Sequence, residues 1–489
     1  MMAARFSSTV PRETRSKSSR QLISVRSWNR REVSDYIPLF SGNPNEVKAS
    51  RTVRTSRSIT VFVLCFLCFF SVSTLTALGS EAGALRVGVA KIDITPTDLT
   101  GLTSQWGKPL VGVHDHIFVR ALVLGNGTNI AAIVSADLIE FGDTAELRER
   151  IAHEVGIPAS HLIIAATHDH SAPKPSFTVA TKGPTTSAQA FTLSVYERVV
   201  DALKQAKASM QPARMGIGTG KADVNINRDE YDPHNTPGWH LGVNPDRQSD
   251  KTVWVVKFET PSGDPIAVLF NYAVHSVVAG PATDQLTGDL AGAAERYVEQ
   301  HYKNKLVALF AIGAAGDQNP IFTGPGERPE EDAPVFQAID AQGLMLGAET
   351  VRVANHFEKM TGEAQIEAAE RTISCPSKPM TVLPPGPSGA GPLEQPPSLP
   401  IHLGLIMVNQ IAFTAVSGEV VTNIYWHLKK SSPLSDTLMI TLSNGRVGYI
   451  VDDASYDTPI FELGTSPLAR GCAENGIVNN LVEMINENR

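Results

Sequence analysis

The sequence predicts an α/β fold with layered mixed β-sheets, flanking helices and a single large catalytic domain. Its 489 residues are 42% hydrophobic and 19% charged, a composition typical of soluble globular proteins. Short apolar runs bounded by turn residues, which are typical of strands, alternate with stretches of helical periodicity. The sequence shows no repeat of helix pairs or propeller blades. A layered α/β architecture is therefore favoured over a solenoid or a propeller.

Strands are predicted where apolar residues form short runs between turn residues. Asn126-Gly127, a strong turn dipeptide, joins two such runs into a hairpin. The run at 162–166 is apolar throughout, which favours a fully buried strand. The predicted strands are 85–94, 117–124, 130–135, 162–166, 252–258, 266–273, 305–312 and 437–442, with a further hairpin over 402–416.

Helices are predicted where apolar residues recur at helical spacing. Asp143 and Glu146 have the spacing of a capping box and predict the start of the first helix, just before Leu147. A second helix has an apolar face around Val199 and is ended by Pro212. Further helices are predicted over 290–300, 336–357 and 419–429.

The chain divides into a basic arm, an uncharged segment and a catalytic domain. Residues 1–57 are predicted to be a disordered arm, since residues 1–60 hold 12 Lys+Arg against 4 Asp+Glu. Residues 58–80 carry no charge and combine an apolar core with a small-residue exit. This pattern predicts a signal peptide and export to the periplasm or the extracellular space, and the alternative is a membrane anchor. The catalytic domain is predicted over 85–489, with a loop at 377–400 that holds eight prolines.

The body of the chain is acidic, and this excludes one class of partner. Residues 61–489 hold 30 Lys+Arg against 46 Asp+Glu, a charge of −16, whereas nucleic-acid binding requires a basic surface. Only Cys375 and Cys472 lie beyond the signal segment, so the fold is not a disulfide scaffold. Spacing leaves a disulfide and two unpaired thiols equally open.

Two histidine clusters follow predicted strands. His168-Asp169-His170 comes directly after the buried strand 162–166, and in extended backbone both imidazoles point to the same side. Imidazole is a preferred ligand of Zn²⁺, although a solvated loop with two unrelated histidines gives the same pattern. His275 likewise ends an apolar strand, where a histidine bonded to the backbone is the ordinary alternative.

Other residues are weaker candidates. His114-Asp115-His116 repeats the first cluster letter for letter, but its neighbours are glycine-rich loop, so it ranks lower. Glu419 lies at a predicted strand-to-helix turn, where it is either a ligand or a charge that complements the helix dipole. Arg228 is either a clamp for a carbonyl or anionic group or an ordinary surface arginine.

In chain order these segments resemble the neutral, non-lysosomal ceramidase family, from Val87 to about Gly471. The family's His-Thr-His-Ser-Gly-Pro motif corresponds to 168–173, and its second histidine strand to 273–276. Its Pro-Gly-Glu turn corresponds to 417–419, and its Tyr-Ile/Val-Thr-Thr segment to 449–452. The resemblance implies the catalytic domain alone, without the family's C-terminal immunoglobulin-like domain.

The resemblance also implies an activity and a set of site residues. The chain would be an exported hydrolase of the amide bond of an N-acyl-sphingosine (ceramide)-like substrate, using zinc-bound water. Zinc would be held by His168, His275, Glu419 and Tyr449. His170 would carry protons at the reacting carbonyl.

Arg228, which matches the family's Asn-Arg segment, would stabilise charge on the same carbonyl. The implied partner is a small-molecule or lipid amide, with association at a membrane surface and no nucleic acid.

Two departures from the family bear on the substrate. Asn319 stands where the family has a serine, and a carboxamide cannot act as an alkoxide nucleophile. Phe461 replaces a family tyrosine. The alternatives are therefore a zinc hydrolase of the same fold that acts on another amide or ester, and a non-catalytic relative that binds metal.

Overall fold

Three sheets of four or five strands organise the part of the chain that the structure describes. The computed structural model describes residues 82–176, 186–233, 238–323, 333–378 and 396–489. The predicted basic arm and the signal or anchor segment lie outside these residues, as does 379–395 of the proline-rich segment. The strands are β1 Gly83–Ala84, β2 Arg86–Asp93, β3 Gly112–Val113, β4 Phe118–Gly125, β5 Ile130–Ala136, β6 Leu162–Ala166, β7 Gln211–Pro212, β8 Arg214–Lys221, β9 Asn225–Asp232, β10 Gly238–Asn244, β11 Thr252–Glu259, β12 Pro265–Tyr272, β13 Gln285–Leu286, β14 Val307–Ile312, β15 Gln318–Pro320, β16 Glu363–Ala364, β17 Ile366–Pro376, β18 Ser398–Val408, β19 Ile411–Val416, β20 Glu419–Val420, β21 Asp436–Ile440 and β22 Tyr449–Ile450. The helices are α1 Ala145–Glu154, α2 Ser187–Ala208, α3 Asp289–His301, α4 Ala333–Ala354, α5 Thr422–Ser431, α6 Phe461–Thr465 and α7 Ala473–Asn488.

Each large sheet mixes parallel and antiparallel pairs. The strand orders are β6-β5-β4-β2-β7, β14-β12-β11-β8 and β17-β18-β19-β21. The parallel pairs are β5 with β6, β12 with β14 and β19 with β21, one in each sheet. Shorter sheets, among them β10-β9-β15 and β20-β22, contribute to the site described below.

The three sheets share one apolar core. Alternate residues of their strands, such as Leu122, Leu269 and Phe413, pack together in the centre. The other face of each sheet is covered by helices: α1 and α2 on the first, α3 and α4 on the second, α5 and α7 on the third. Since both faces are buried, strands such as β6 are apolar throughout. The predicted layered α/β class with mixed sheets is confirmed.

The capping box predicted at the start of the first helix is wrong. Thr144, not Asp143, occupies the N-cap position of α1, and its side chain makes no capping hydrogen bond. Asp143 Oδ1 instead accepts a hydrogen bond from the amide of Ala145 at 2.9 Å. Asp143 lies one residue too early to cap, so it forms a local Asx turn instead.

The region around residue 419 also differs from the prediction. Glu419 belongs to β20, which pairs in parallel with β22 and places Glu419 opposite Tyr449. The helix α5 begins only at Thr422. The local helix propensity at Glu419 is overridden by pairing with the strand at Tyr449, about 30 residues later in the chain.

The proline-rich segment is shorter than predicted, because β18 begins at Ser398. Pro400 lies opposite Ser374 of β17, and β19 pairs with β18 only from Leu403 onward. Pro400 therefore lies where β18 has one strand neighbour, a position that tolerates a residue without an N–H group.

Cys375 and Cys472 form a disulfide, which answers a question the spacing left open. It joins the end of β17 to the residue before α7. In the described ranges, no helix combines the length and the apolarity needed to cross a bilayer.

Candidate active site

The predicted site residues converge at the carboxyl ends of parallel strands. His168 follows β6 and His275 follows β12. Each of these strands belongs to the parallel pair of its sheet, β6 with β5 and β12 with β14. An isolated bridge between Asp169 and Ser276 holds the two segments side by side. Layered α/β proteins place their binding sites at such strand ends. His168 has φ 62°, so its backbone is left-handed and not extended as predicted.

The tautomers of His168 and His275 follow from their backbone contacts. The Nδ1 atom of His168 lies 2.9 Å from the carbonyl oxygen of Ile139, and that of His275 lies 3.0 Å from the carbonyl oxygen of Gln318. A carbonyl only accepts, so each Nδ1 carries a proton and each neutral ring presents a lone pair on Nε2. This second contact is the usual device that orients a metal-binding imidazole.

Glu419 brings a carboxylate to the same point. Its Oε2 atom lies 3.2 Å from His168 Nε2 and 3.4 Å from His275 Nε2. That oxygen is buried and accepts no hydrogen bond of good geometry. Two imidazole nitrogens and a buried carboxylate oxygen at these distances form a donor set suited to a cation.

Burial and neighbouring charges shift the pKa values of Glu419 and His168 in opposite directions. Burial alone would raise the pKa of Glu419, but the two imidazoles hold it well below its ordinary value. Burial opposes protonation of His168, yet the carboxylate of Glu419 raises its pKa. The Glu419 carboxylate and the His168 imidazole therefore each favour the charged form of the other.

His170 adds a third imidazole nitrogen to the cluster. The ring nitrogens of His168, His170 and His275 all lie within 4.8 Å of one another. His170 Nε2 is 3.3 Å from His168 Nε2, and its buried Nδ1 has no hydrogen-bond partner among the described residues. Burial, with the neighbouring imidazoles, lowers the pKa of His170 well below its ordinary value. The neutral form of the ring is therefore favoured.

Arg228 is buried and lies beside this cluster. From β9, its Nη1 atom lies 3.1 Å from His275 Nε2 and 3.3 Å from Asn319 Oδ1. Its Nη2 atom donates to the hydroxyl of Tyr449 at 3.0 Å. On its other side, Nε and Nη2 both lie 2.7 Å from Glu462 Oε1. The surface-arginine alternative is wrong, since Arg228 is 4% exposed.

Tyr449 reaches the site through the pairing of β20 with β22. Its hydroxyl contacts Arg228 and Glu419, and burial raises its pKa well above the ordinary range. The phenol is therefore neutral unless a cation compensates its charge.

The second His-Asp-His cluster, at 114–116, has a structural role instead. Asp115 accepts hydrogen bonds from Thr287, Gly288 and Arg296, and so joins its loop to the start of α3. The ring of His114 stacks on Phe336 with centroids 3.6 Å apart. The lower rank given to this cluster is consistent with these contacts.

Two features of the site had no clear sequence signal. Glu462 belongs to no recognisable motif. Its neighbour Phe461 was noted in the sequence only because it replaces a family tyrosine. Glu140 and Arg446 form an ion pair at 2.6 Å that lines the cleft. The Arg228–Glu462 pair and the Glu140–Arg446 pair each join residues more than 200 positions apart, so only the tertiary structure reveals them.

A cleft of about 700 Å³ opens onto the histidine cluster. Its lining includes apolar side chains that are partly exposed, and a polar wall formed by Glu140 and Arg446. The exposed apolar residues of the lining are Trp106, Leu241, Val243 and Phe461. The cleft can therefore take a ligand with both apolar and polar parts.

Comparison with known proteins shows which family the chain resembles. Residues 85–382 match the model of the neutral/alkaline non-lysosomal ceramidase family, N-terminal region. Neutral ceramidase B of Dictyostelium discoideum is 26% identical over 271 residues, which is 50% of this chain and 37% of that protein. Neutral ceramidase of Pseudomonas aeruginosa is 25% identical over 300 residues, which is 57% of this chain and 43% of that protein. The matched regions thus span less than half the length of these relatives.

Solved structures show the same fold. The crystal structure of neutral ceramidase from Pseudomonas aeruginosa superposes with a TM-score of 0.64 at 18% identity, over 82% of this chain and 75% of that one. A structure of a ceramidase complexed with C2 superposes with a TM-score of 0.62 at 19% identity, over the same shares of the two chains. The family match covers more than half of the chain, and the chain therefore belongs to the neutral/alkaline non-lysosomal ceramidase family.

Proposed function

We propose that this protein is an exported, zinc-dependent amidohydrolase that cleaves the amide bond of an N-acyl-sphingosine-like lipid. The observation that carries the proposal is the convergence of the Nε2 atoms of His168 and His275 on the buried Oε2 atom of Glu419. Membership of the ceramidase family supports the amide-hydrolase activity.

The donor set fits a zinc ion. His168, His275 and Glu419 would hold the metal, with Tyr449 as the further ligand that the family resemblance implies. Imidazole and carboxylate are preferred zinc ligands, and the backbone carbonyls behind both imidazoles orient them for that task. When bound, zinc supplies Lewis acidity to a carbonyl oxygen and to a water molecule.

The protein's own side chains position the substrate and move protons. Arg228, held by Glu462, directs Nη1 into the cleft beside Asn319 and stabilises negative charge on the oxygen of the scissile carbonyl. His170, whose Nε2 atom lies 3.3 Å from His168 Nε2 and which lines the cleft, accepts a proton from the attacking water and returns it to the leaving amine. Asn319 cannot form an acyl-enzyme, so the amide is attacked by water directly.

The cleft supports a lipid amide as the substrate. Apolar side chains at its mouth accommodate hydrocarbon, and the site residues lie at its inner end. One structural relative is described as a ceramidase complexed with C2.

A second candidate is hydrolysis of another amide or an ester by the same site. The Glu140–Arg446 ion pair in the cleft favours it, as do Asn319 and Phe461 in place of the family's serine and tyrosine.

Export is proposed from two independent features. Residues 58–80 have the pattern of a signal peptide, with a membrane anchor as the alternative. The disulfide between Cys375 and Cys472 supports an oxidising compartment such as the periplasm or the extracellular space.

Metal content and turnover test the proposal together. Purified protein is expected to bind about one zinc per chain, and His168→Ala and His275→Ala are expected to lose zinc and activity. The matched control is His116→Ala, which changes the other His-Asp-His cluster at a side chain that is 62% exposed. Wild-type protein that binds no zinc in metal-replete buffer would refute the metal assignment.

The substrate is tested by comparing a fluorescent N-acyl-sphingosine with simple N-acyl amides and esters. Faster turnover of the sphingosine amide supports the lipid substrate. Turnover of the simple amides or esters alone supports the second candidate.

A further inference from the structure

The ion pair of Glu140 and Arg446 is a charged feature of the cleft that the proposed reaction does not use. Arg446 Nε donates to Glu140 Oε2 at 2.6 Å, and both side chains line the cleft. The side chain of Glu140 is 11% exposed, whereas that of Arg446 is 49% exposed. The pair therefore runs from the inner part of the cleft, at Glu140, towards solvent, at Arg446.

The backbone holds Glu140 close to the histidine cluster. The carbonyl oxygen of the preceding residue, Ile139, lies 2.9 Å from His168 Nδ1. The amide of Asp169 donates to the carbonyl oxygen of Leu138 at 2.9 Å. Because segment 138–140 is fixed against 168–169 in this way, Glu140 lines the cleft next to His168.

Arg446 lies in a loop that is fixed on both sides. Asn444, two residues earlier, exchanges hydrogen bonds with Ile164 of β6, through its amide at 3.0 Å and its Oδ1 atom at 2.9 Å. On the other side, the amide of Val447 donates to the carbonyl oxygen of Ser417 at 2.9 Å. The guanidinium of Arg446 is therefore presented to the cleft from a firmly held backbone.

The charges of the pair decide which ligand group it can accept. Glu140 and Arg446 are each other's counter-ion, so a charged ligand group at this wall would leave one charge unbalanced in a partly buried place. Burial raises the pKa of Glu140, and the charge of Arg446 opposes that rise. A hydroxyl group can donate to the carboxylate and accept from the guanidinium while it stays neutral itself. The pair therefore favours a neutral hydroxyl group over an anion or a cation.

We propose that Glu140 and Arg446 form a subsite that binds a neutral, hydroxyl-bearing group of the substrate and discriminates against charged groups at that position. The proposal rests on the proposed function, in which an amide is held at the histidine cluster, and it applies to either candidate substrate. Since Glu140 lines the cleft next to His168, the hydroxyl group is carried within a few bonds of the amide. The apolar side chains at the mouth are left to take hydrocarbon.

Three octanoyl amides that share one skeleton test the subsite. The amide of serinol carries two hydroxyl groups, the amide of isopropylamine has hydrogen in place of both, and the amide of alanine carries a carboxylate and no hydroxyl group. Isothermal titration calorimetry gives the Kd of each for purified protein that a chelator has freed of metal, so that turnover does not interfere. We expect the wild type to bind the serinol amide about tenfold more tightly than either of the other two.

Two variants of the pair separate hydrogen bonding from charge. Glu140→Leu/Arg446→Met removes both charges together, and its preference for the serinol amide over the isopropyl amide should fall below about twofold. Glu140→Gln keeps the shape of the side chain but leaves the guanidinium without its counter-ion, so it should bind the alanine amide about tenfold more tightly than the wild type does. The matched control is Arg150→Met, which removes an arginine of a surface ion pair outside the lining of the cleft and should keep the wild-type preference.

Binding and turnover distinguish failure of the subsite from failure of the proposed function. A wild type that binds the isopropyl or the alanine amide as tightly as the serinol amide overturns the proposal, and so does a double variant that keeps the wild-type preference. Turnover of the same amides is measured on protein reloaded with zinc. A binding preference without hydrolysis of any amide refutes the proposed function and keeps the subsite. Hydrolysis without a binding preference refutes the subsite and keeps the proposed function.

Discussion

Removal of the Cys375–Cys472 disulfide is expected to destabilise the fold without changing the chemistry of the site. The bond closes a loop with a sequence separation of 97. In the chain-entropy description, a loop of this length restricts the unfolded chain by about 4.7 kcal/mol at 25 °C. Since domains are stable by about 5–15 kcal/mol, this is a large share of the whole.

The variant for this test is Cys375→Ala/Cys472→Ala. Chemical denaturation should show a free energy of unfolding lower by about 4–5 kcal/mol than that of the oxidised wild type. The kcat of the folded variant should stay within about twofold of the wild type, because the contacts of Arg228 with Glu462 and Tyr449 do not involve the disulfide. A reducing agent should destabilise the wild type and leave the double variant unchanged.

Two results would refute this reasoning. The first is a double variant that unfolds at the same denaturant concentration as the oxidised wild type. The second is two free thiols at Cys375 and Cys472 in the native protein, measured by alkylation and mass spectrometry under non-reducing conditions.

Three further predictions concern single side chains. Arg228→Met should lower kcat about 10²- to 10³-fold while zinc content is retained, since it removes the group proposed to stabilise the carbonyl oxygen; steady-state kinetics beside metal analysis check this, and unchanged kcat contradicts it. Asn319→Ser should change kcat less than about tenfold, because Arg228 keeps its contacts with Glu462, Tyr449 and His275; a larger gain in kcat would assign serine a direct part in the family reaction. Arg120→Met should cost about 3–5 kcal/mol of stability, since it leaves Asp137 and Glu295, at 2.9 and 2.8 Å, buried without their cation; denaturation that matches the wild type contradicts it.

Strand prediction succeeded where burial dictates the residue types. Strands that are covered on both faces consist of apolar residues, and 162–166 was identified for that reason. The bounds predicted for 130–135 and 305–312 lie within two residues of those of β5 and β14. Prediction failed for β8 and β9, whose glycines and polar residues carry no strand signal. Their conformation comes from pairing: β8 pairs with β11, and β9 pairs with the neighbouring β10 and the distant β15.

The site could be predicted only in part. Histidines at the ends of apolar strands are visible in the sequence, and chain order linked His168 and His275 to a family. Glu419 was singled out at a predicted strand-to-helix turn, and the resemblance implied that it is a ligand. Its placement at the start of a helix was wrong, since pairing of β20 with β22 sets its position.

What the sequence by itself determined is the layered α/β class, the resemblance to the family, and the residue types of a candidate metal site. These follow from periodicity and from short motifs, which are local properties of the chain. Only the tertiary structure decided that the Nε2 atoms of His168 and His275 meet Glu419 Oε2, and that Arg228 is held by an acid 234 residues away. Such contacts depend on how three sheets pack around one core. That packing is a cooperative property of the whole fold, and no single segment of the sequence encodes it.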